Sequence, residues 1–364
     1  MSVSTTPSAP PPRSPDVATA ADAARSRWSH QRAVPREVWP LLALAALLLF
    51  NLLFTPGFFR IEVRDGRLYG ILIDIADRAA PIMLIAIGMT LVIATGGVDL
   101  SVGAVLAISG AITAHLVAER GQPLWVAISA ALGASLLAGV WNGALVAYLR
   151  VQPIVATLIL MVSGRGLAQL ISNGQIITVN PAAHRGFAMI GNGSLFMVPF
   201  TLTLVAGALI VVGTLTRRTA AGLFIEAVGN NRVASRFAGI NERLVTVTVY
   251  AITGLCSGIA GLISASDINA SDAINAGMYV ELDAILAVVI GGTALTGGRF
   301  YLLGAMLGAL IIQAMSTTIL TRNVPVEMTL VVKAVVVVAV CLLQAPRFRE
   351  IVASPLRRMR GGEA

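Results

Sequence analysis

The feature that most constrains this chain is a succession of apolar stretches, each long enough to cross the hydrocarbon core of a bilayer as one helix. At about 17–25 residues per crossing, they fall near 38–56, 71–94, 100–118, 123–149, 152–172, 195–216, 242–266, 279–295, 300–320 and 326–345. In lipid every backbone amide and carbonyl needs a partner within the chain, so apolar runs of this length must be helical. The chain is therefore read as all-α, a polytopic membrane protein with about ten transmembrane helices. Composition agrees, with 56% hydrophobic residues, 12% charged residues and a mean hydropathy of +0.83. An ordinary soluble domain carries about one quarter charged residues.

Residues 1–36 are rich in Pro, Ser and Ala and include Pro10-Pro11-Pro12. They have too little apolar surface to offset ordering entropy, and a disordered tail is expected there. Trp39–Phe54 has the length of a signal-peptide core, but Pro56-Gly57-Phe58-Phe59-Arg60 follows it in place of a small-residue cleavage site. It is read as an uncleaved first span. The spanning domain is placed at 37–346 and a basic tail at 347–364.

The formal charge is +8, and Lys333 is the single lysine, so the basic balance comes from arginine. With an inside N-terminus, the inside segments hold 17 arginines and the outside segments 6. That asymmetry follows the positive-inside rule, and places both termini and residues 222–240 in the cytoplasm. The arginines are thus read as an orientation signal, and no nucleic-acid partner is expected. Nor does the chain carry a phosphate-binding P-loop, a G-x-S-x-G elbow or an H-E-x-x-H helix. Cys256 and Cys341 fall within spans, and His30, His115 and His184 are scattered, so no catalytic residues, bound metal or cofactor are expected.

Gly222–Ile240 stands apart as a long stretch of mixed polar and apolar residues. Its local signals predict two short helices, one over Phe224–Val228 and a second capped by Asn230 or Asn231 and stopped by Gly239, with a turn at Gly229-Asn230 between them. Neither is long enough to cross a bilayer.

Polar residues within spans mark possible contacts with a transported molecule, because charges at membrane depth cost about 2.5–3.5 kcal/mol each. Asp74, Asp77 and Arg78 precede Pro81 in the second span. Two readings stand for Asp77-Arg78, an ion pair facing a watery path and a pair at headgroup level. Asp99, in Thr95-Gly96-Gly97-Val98-Asp99-Leu100-Ser101, is read either as the cap of a tight turn or as a ligand contact. The turn has a second copy at an offset of 201, where Thr296, Gly297, Gly298 and Gly304 match Thr95, Gly96, Gly97 and Gly103. Internal repeats often flank a transport path, and chance similarity among glycine-rich helices is the rival explanation. In the fourth span, Gly133, Gly139 and Gly143 predict close helix packing. Asn142, Thr157, Arg165 and Gln169 serve either as interhelical hydrogen-bonding groups or as a substrate-facing wall. Asp283 follows a polar loop whose residues suit either a pore mouth or plain solvation.

Several motifs together carry a family resemblance. Ala86-Ile87-Gly88-Met89-Thr90-Leu91-Val92-Ile93 with Gly97-Val98-Asp99-Leu100-Ser101-Val102-Gly103, then Glu226-Ala227-Val228-Gly229-Asn230-Asn231, and Leu282 through Thr293, resemble the ribose-type permeases of bacterial ABC sugar importers. The likeness spans roughly 38–345, and Thr157–Gly166 resembles the galactofuranose permeases within that family. The resemblance implies the ABC importer permease fold in the bacterial inner membrane, carrying a monosaccharide such as galactofuranose or ribose. It further implies a second permease subunit, a periplasmic sugar-binding protein, and a cytoplasmic ATPase that holds the ATP and Mg. On this resemblance Glu226, Ala227, Gly229, Asn230, Arg232, Arg236 and Gly239 form the segment that docks into the ATPase. Asp77, Arg78, Asp99, Asn142, Thr157, Gln169 and Asp283 are the substrate-path candidates. The rival class is a secondary transporter or channel acting without an ATPase.

Overall fold

A computed structural model describes residues 38–321 apart from 56, 65 and 66, together with 328, 331–335 and 338. The two tails expected at 1–36 and 347–364 lie outside the described residues, as does most of the span expected at 326–345. The described chain is helical apart from three short two-stranded antiparallel ribbons. Its long helices are α1 (Val38–Phe54), α2 (Ile71–Ala94), α3 (Val102–Ala114), α4 (Leu124–Ala147) and α5 (Pro153–Ile171). The short α6 (Arg185–Asn192) precedes α7 (Phe200–Arg218), α8 (Ala221–Asn230) and α9 (Arg232–Phe237). The order closes with α10 (Glu242–Asp267), α11 (Val280–Ile290) and α12 (Leu302–Thr321). Among the described residues six helices are long and apolar enough to cross a membrane: α3 with its π-helical extension to Glu119, α4, α5, α7, α10 and α12.

The core is built around α2. From Ala79 to Ala94 every residue except Pro81 is buried. A helix apolar on all sides can be sheathed completely, and α2 packs against α7, α10, α11 and α12. Pro81 does not break it. The helix runs through the proline, as bilayer helices do when neighbours surround the freed carbonyl.

The contact between α4 and α10 depends on small residues. Gly139 and Gly143 lie against the Tyr250 and Val247 backbone, and Gly254 and Gly258 lie against Ser135. A methyl group at Gly254 would stand 3.0 Å from the Gly139 Cα and closer still to the Ser135 carbonyl. Gly139 and Gly143 are therefore used for close backbone approach, as expected, whereas a methyl group at Gly133 would meet nothing within 4 Å.

The stretch at 279–295 departs from its expected form. It folds as the 11-residue α11, about 16 Å long and so about half a bilayer crossing. Gly277 and Tyr279 take positive φ values of 66° and 64° just before it, and Gly292 takes 92° just after it. Residues 272–279 are unwound, and Gly277 lies against Gly103 of α3. Arg165 of α5 donates to the carbonyls of Gly277 (2.8 Å), Ile274 (3.4 Å) and Ala276. The carbonyls that unwinding releases are thus satisfied from a neighbouring helix, a condition for non-helical backbone at membrane depth. Beyond the break, Asp283 holds Lys333 through both carboxylate oxygens, at 3.0 and 2.8 Å, with both side chains mostly buried.

Overpacking a filled helix contact costs about 1–3 kcal/mol. Gly254→Val is expected to lower the thermal unfolding temperature of the detergent-purified protein. Gly207→Val on α7, where nothing lies within 4 Å of the new side chain, is expected to leave it unchanged or slightly raised.

Candidate functional site

The segment that stands apart in the sequence forms two helices at one end of the bundle. The first helix ends two residues later than expected, because α8 continues through Gly229 and Asn230 and leaves only Asn231 at the break. Asn231 is extended, with φ −158°, and its side chain accepts from the Ala234 amide at 3.0 Å, capping α9. Gly239, with φ +84°, ends the second helix while the Ile240 amide returns to the Ser235 carbonyl.

Gly229 remains helical for a packing reason. Its Cα faces the Ala94 carbonyl and the Gly298 amide so closely that a methyl group would overlap both. The two glycine turns repeated at an offset of 201 also converge here. The Gly298 amide donates to the Ala94 carbonyl at 2.8 Å. A methyl group at Gly297 would lie 3.0 Å from the Gly96 nitrogen and 3.1 Å from the Gly229 carbonyl oxygen. Arg232 adds a hydrogen bond to the Thr95 carbonyl at 3.0 Å. The α8–α9 segment is therefore seated on the turn after α2 and the turn before α12.

The outer face of this segment is apolar where solvation alone would favour polar residues. Phe237 is 88% exposed and Val233 is 65% exposed, one turn apart on α9. Sequence reasoning singled out the charged residues here and passed over these two, although their i, i+4 spacing was legible. Arg236 is paired with Glu242 at the start of α10, so its charge is shared within the chain. Glu226 is half-buried and borders a cavity of about 280 Å³ with Thr216, Arg217 and Phe300. Ala227 supplies the carbonyl that accepts from the Asn231 amide.

The substrate-path candidates do not form one site. Asp99, Asn142 and Thr157 gather around the first glycine turn. Asp99 accepts from the Ser101 amide (2.9 Å) and hydroxyl (2.6 Å), and Asn142 donates to the same hydroxyl at 2.9 Å. Thr157 is buried and returns its hydroxyl to the Pro153 carbonyl at 3.0 Å. Tyr250 of α10 reaches the Val98 carbonyl at 3.3 Å. Asp99 closes its own turn, and Ser101, with no capping bond from its side chain, directly precedes α3. The Asn142 Oδ1 is buried without a partner.

The expected Asp77-Arg78 pair is not formed. Side chains adjacent in a helix diverge, and Arg78 instead lies 4.0 Å from Asp74, one turn earlier, while Asp77 accepts from the Thr201 hydroxyl. Both Asp77 and Arg78 border a cavity at the opposite end of the bundle, together with Asn192 and Asp267. Gln169 lies exposed on α5, and Asp283 is engaged by Lys333. Among the described residues no group of three His, Cys, Asp or Glu side chains is placed to hold a metal ion.

Comparison with known proteins identifies the neighbourhood of this chain. Residues 71–341 match the family model described as a branched-chain amino acid transport system / permease component. The chain is 52% identical over 328 residues to the galactofuranose transporter permease protein YtfT of Escherichia coli K12, covering 90% of this chain and 93% of that protein. It is 39% identical to the fructose import permease protein FruF of Bifidobacterium longum, over 88% of this chain and 90% of the relative. Identity to the ribose import permease protein RbsC of Escherichia coli K12 is 34%, over 83% and 92% respectively.

Asp99 gives the glycine-turn network a pH signature. Burial pushes its carboxyl up to about 6, against the hydrogen bonds from Ser101, which favour the charged form. The folded state therefore binds this proton more tightly than the unfolded chain. Stability from this group is fully present below about pH 4 and is lost as pH rises towards about 6. Asp99→Asn removes the titrating group and is expected to flatten the pH dependence of thermal unfolding across that window. Asp99→Ala also strips the acceptor from the buried Ser101 amide, and is expected to cost about 1–3 kcal/mol below about pH 4, the difference from wild type shrinking as pH rises through that window.

Proposed function

We infer the function from the premise that this chain belongs to the branched-chain amino acid transport system / permease component family: it is the membrane permease subunit of a sugar importer. The observation that carries this reading is the near full-length similarity to sugar permeases. A permease subunit supplies a path and no covalent chemistry, so the chain is not itself an enzyme.

The finer reading is an ATP-driven ABC importer of the bacterial inner membrane with about ten transmembrane helices and both termini in the cytoplasm. The chain pairs with a second permease subunit, identical or paralogous. A periplasmic binding protein delivers the sugar, and a cytoplasmic ATPase binds ATP with its Mg. The substrate is a monosaccharide, galactofuranose or a related aldose such as ribose. The seventeen-to-six arginine asymmetry supports this orientation, and it puts α8 and α9 on the cytoplasmic face.

In this assembly α8 and α9 are the docking segment. Val233 and Phe237 present an exposed apolar pair, with an aromatic ring of the type enriched at interface cores. ATP-driven closure of the ATPase pair displaces α8. Because Gly229 is seated on both glycine turns, the displacement reaches α2 and α12 together. Alternating exposure of the path follows from rearrangement of these packed helices.

Sugar-stimulated ATP hydrolysis in liposomes tests this reading, with the chain reconstituted beside its ATPase and binding protein. Val233→Asp combined with Phe237→Asp is expected to weaken ATPase assembly and lower stimulated hydrolysis by about tenfold or more, the scale of losing interface anchors. Sugar movement by this chain alone along an ion gradient, with the double variant unaffected, overturns the proposal.

A further inference from the structure

Where α4, α5, α9 and α10 meet, the chain forms a half-open cavity of about 330 Å³ whose lining includes Arg150, Arg232, Arg236 and Arg243. Glu242 is the one acidic residue in that lining, and Arg236 already pairs with it. Arg232 spends one bond on the Thr95 carbonyl. Among the described residues Arg150 and Arg243 have no acidic partner, and Arg243 instead lies 5.6 Å above the Tyr148 ring. The cavity thus has a surplus of three positive charges among its lining side chains.

Two further observations point the same way. Gln152 and Pro153, which open α5, also line the cavity, and α5 has no side-chain cap on its first turn. The positive end of the helix dipole is therefore added to the guanidinium groups. Arg150 itself has φ +56°, a left-handed conformation that closes α4 as the Val151 amide returns to the Leu145 carbonyl. Glycine is the residue such a position favours, and arginine is disfavoured there by its Cβ. Its presence is accounted for by what its charge does.

We propose that this cavity is a site for the phosphodiester headgroup of an anionic phospholipid. The surrounding surface selects lipid over a soluble phosphate. Tyr148 and Leu149, on one rim, are 57% and 69% exposed, and Ile154 and Val155, on the first turn of α5, are 42% and 45% exposed. Acyl chains lie along such a surface while the headgroup enters the basic pocket, and tyrosine is favoured at that depth. Bidentate guanidinium bonds to phosphate oxygens supply the specificity for an anionic headgroup. The site rests on the cytoplasmic placement of α9, and it would hold a lipid against the base of the segment that docks to the ATPase.

The test is retention of phosphatidylglycerol by the full-length purified protein, read by native mass spectrometry with phosphatidylcholine and inorganic phosphate as competitors. Arg150→Gly combined with Arg243→Gln is expected to lower phosphatidylglycerol affinity by roughly tenfold or more. Arg150→Gly relieves the left-handed residue, so its unfolding temperature is expected to hold or rise. A loss of binding then reports the charge and not a damaged fold. Arg217→Gln combined with Arg218→Gln removes equal charge elsewhere and is expected to leave binding unchanged. Equal retention by both double variants, or equal loss in both, overturns the site. Displacement of the lipid by inorganic phosphate reassigns the cavity to a soluble anion. Loss of ATPase assembly in the cavity variant, with phosphatidylglycerol still bound, reassigns it to the protein partner. The lipid measurement needs neither ATP nor sugar, so its failure is distinguishable from failure of the importer reading.

Discussion

Gly229 resting on the Ala94 carbonyl is the contact on which the rest of this structure depends. A helical glycine costs about 1 kcal/mol relative to alanine, and α8 accepts that cost because only a hydrogen fits between the two backbones. The same close approach brings the Gly298 amide to the Ala94 carbonyl, so three separate stretches of chain share one backbone junction. Backbone contacts of this kind leave no side chain to rotate out of the way. A push on α8 is therefore transmitted to α2 and α12, with little slack between them.

The packing around α2 would carry such a displacement further. α2 is buried along almost its whole apolar length, and it is gripped by α7, α10, α11 and α12. Small residues between α4 and α10 bring those backbones together in the same manner. The Asp99, Ser101 and Asn142 network then ties the first glycine turn to α4. At the broken helix, Arg165 satisfies the carbonyls released ahead of α11. Asp99 and Arg165 thus both act where the backbone departs from helix.

Much of this was legible in the sequence. The apolar stretches marked the long helices, the doubled Thr-Gly-Gly turn marked both halves of the junction, and the 222–240 segment stood out as an element too short to span. Other features depended on contacts between distant parts of the chain. Continuation of α8 through Gly229 could not be read locally, since glycine before asparagine is a turn signal and the partner carbonyl lies in another span. The break ahead of α11 was masked by an apolar run of span length, and its satisfaction depends on Arg165 from α5. Asp77 and Arg78 are neighbours in sequence, but helix geometry sends Arg78 towards Asp74. Val233 and Phe237 were visible as an apolar pair, but only the folded chain shows that nothing in the described bundle covers them.

The most direct measurement is the number of sugar molecules imported per ATP hydrolysed when the proposed importer is reconstituted with Gly229→Ala, beside Gly213→Ala, whose new methyl group meets nothing within 4 Å. Gly229→Ala is expected to recruit the ATPase and sustain hydrolysis while sugar import per ATP collapses, and Gly213→Ala is expected to match the wild type. Import per ATP equal to wild type in both variants would contradict the claim that this junction carries the coupling.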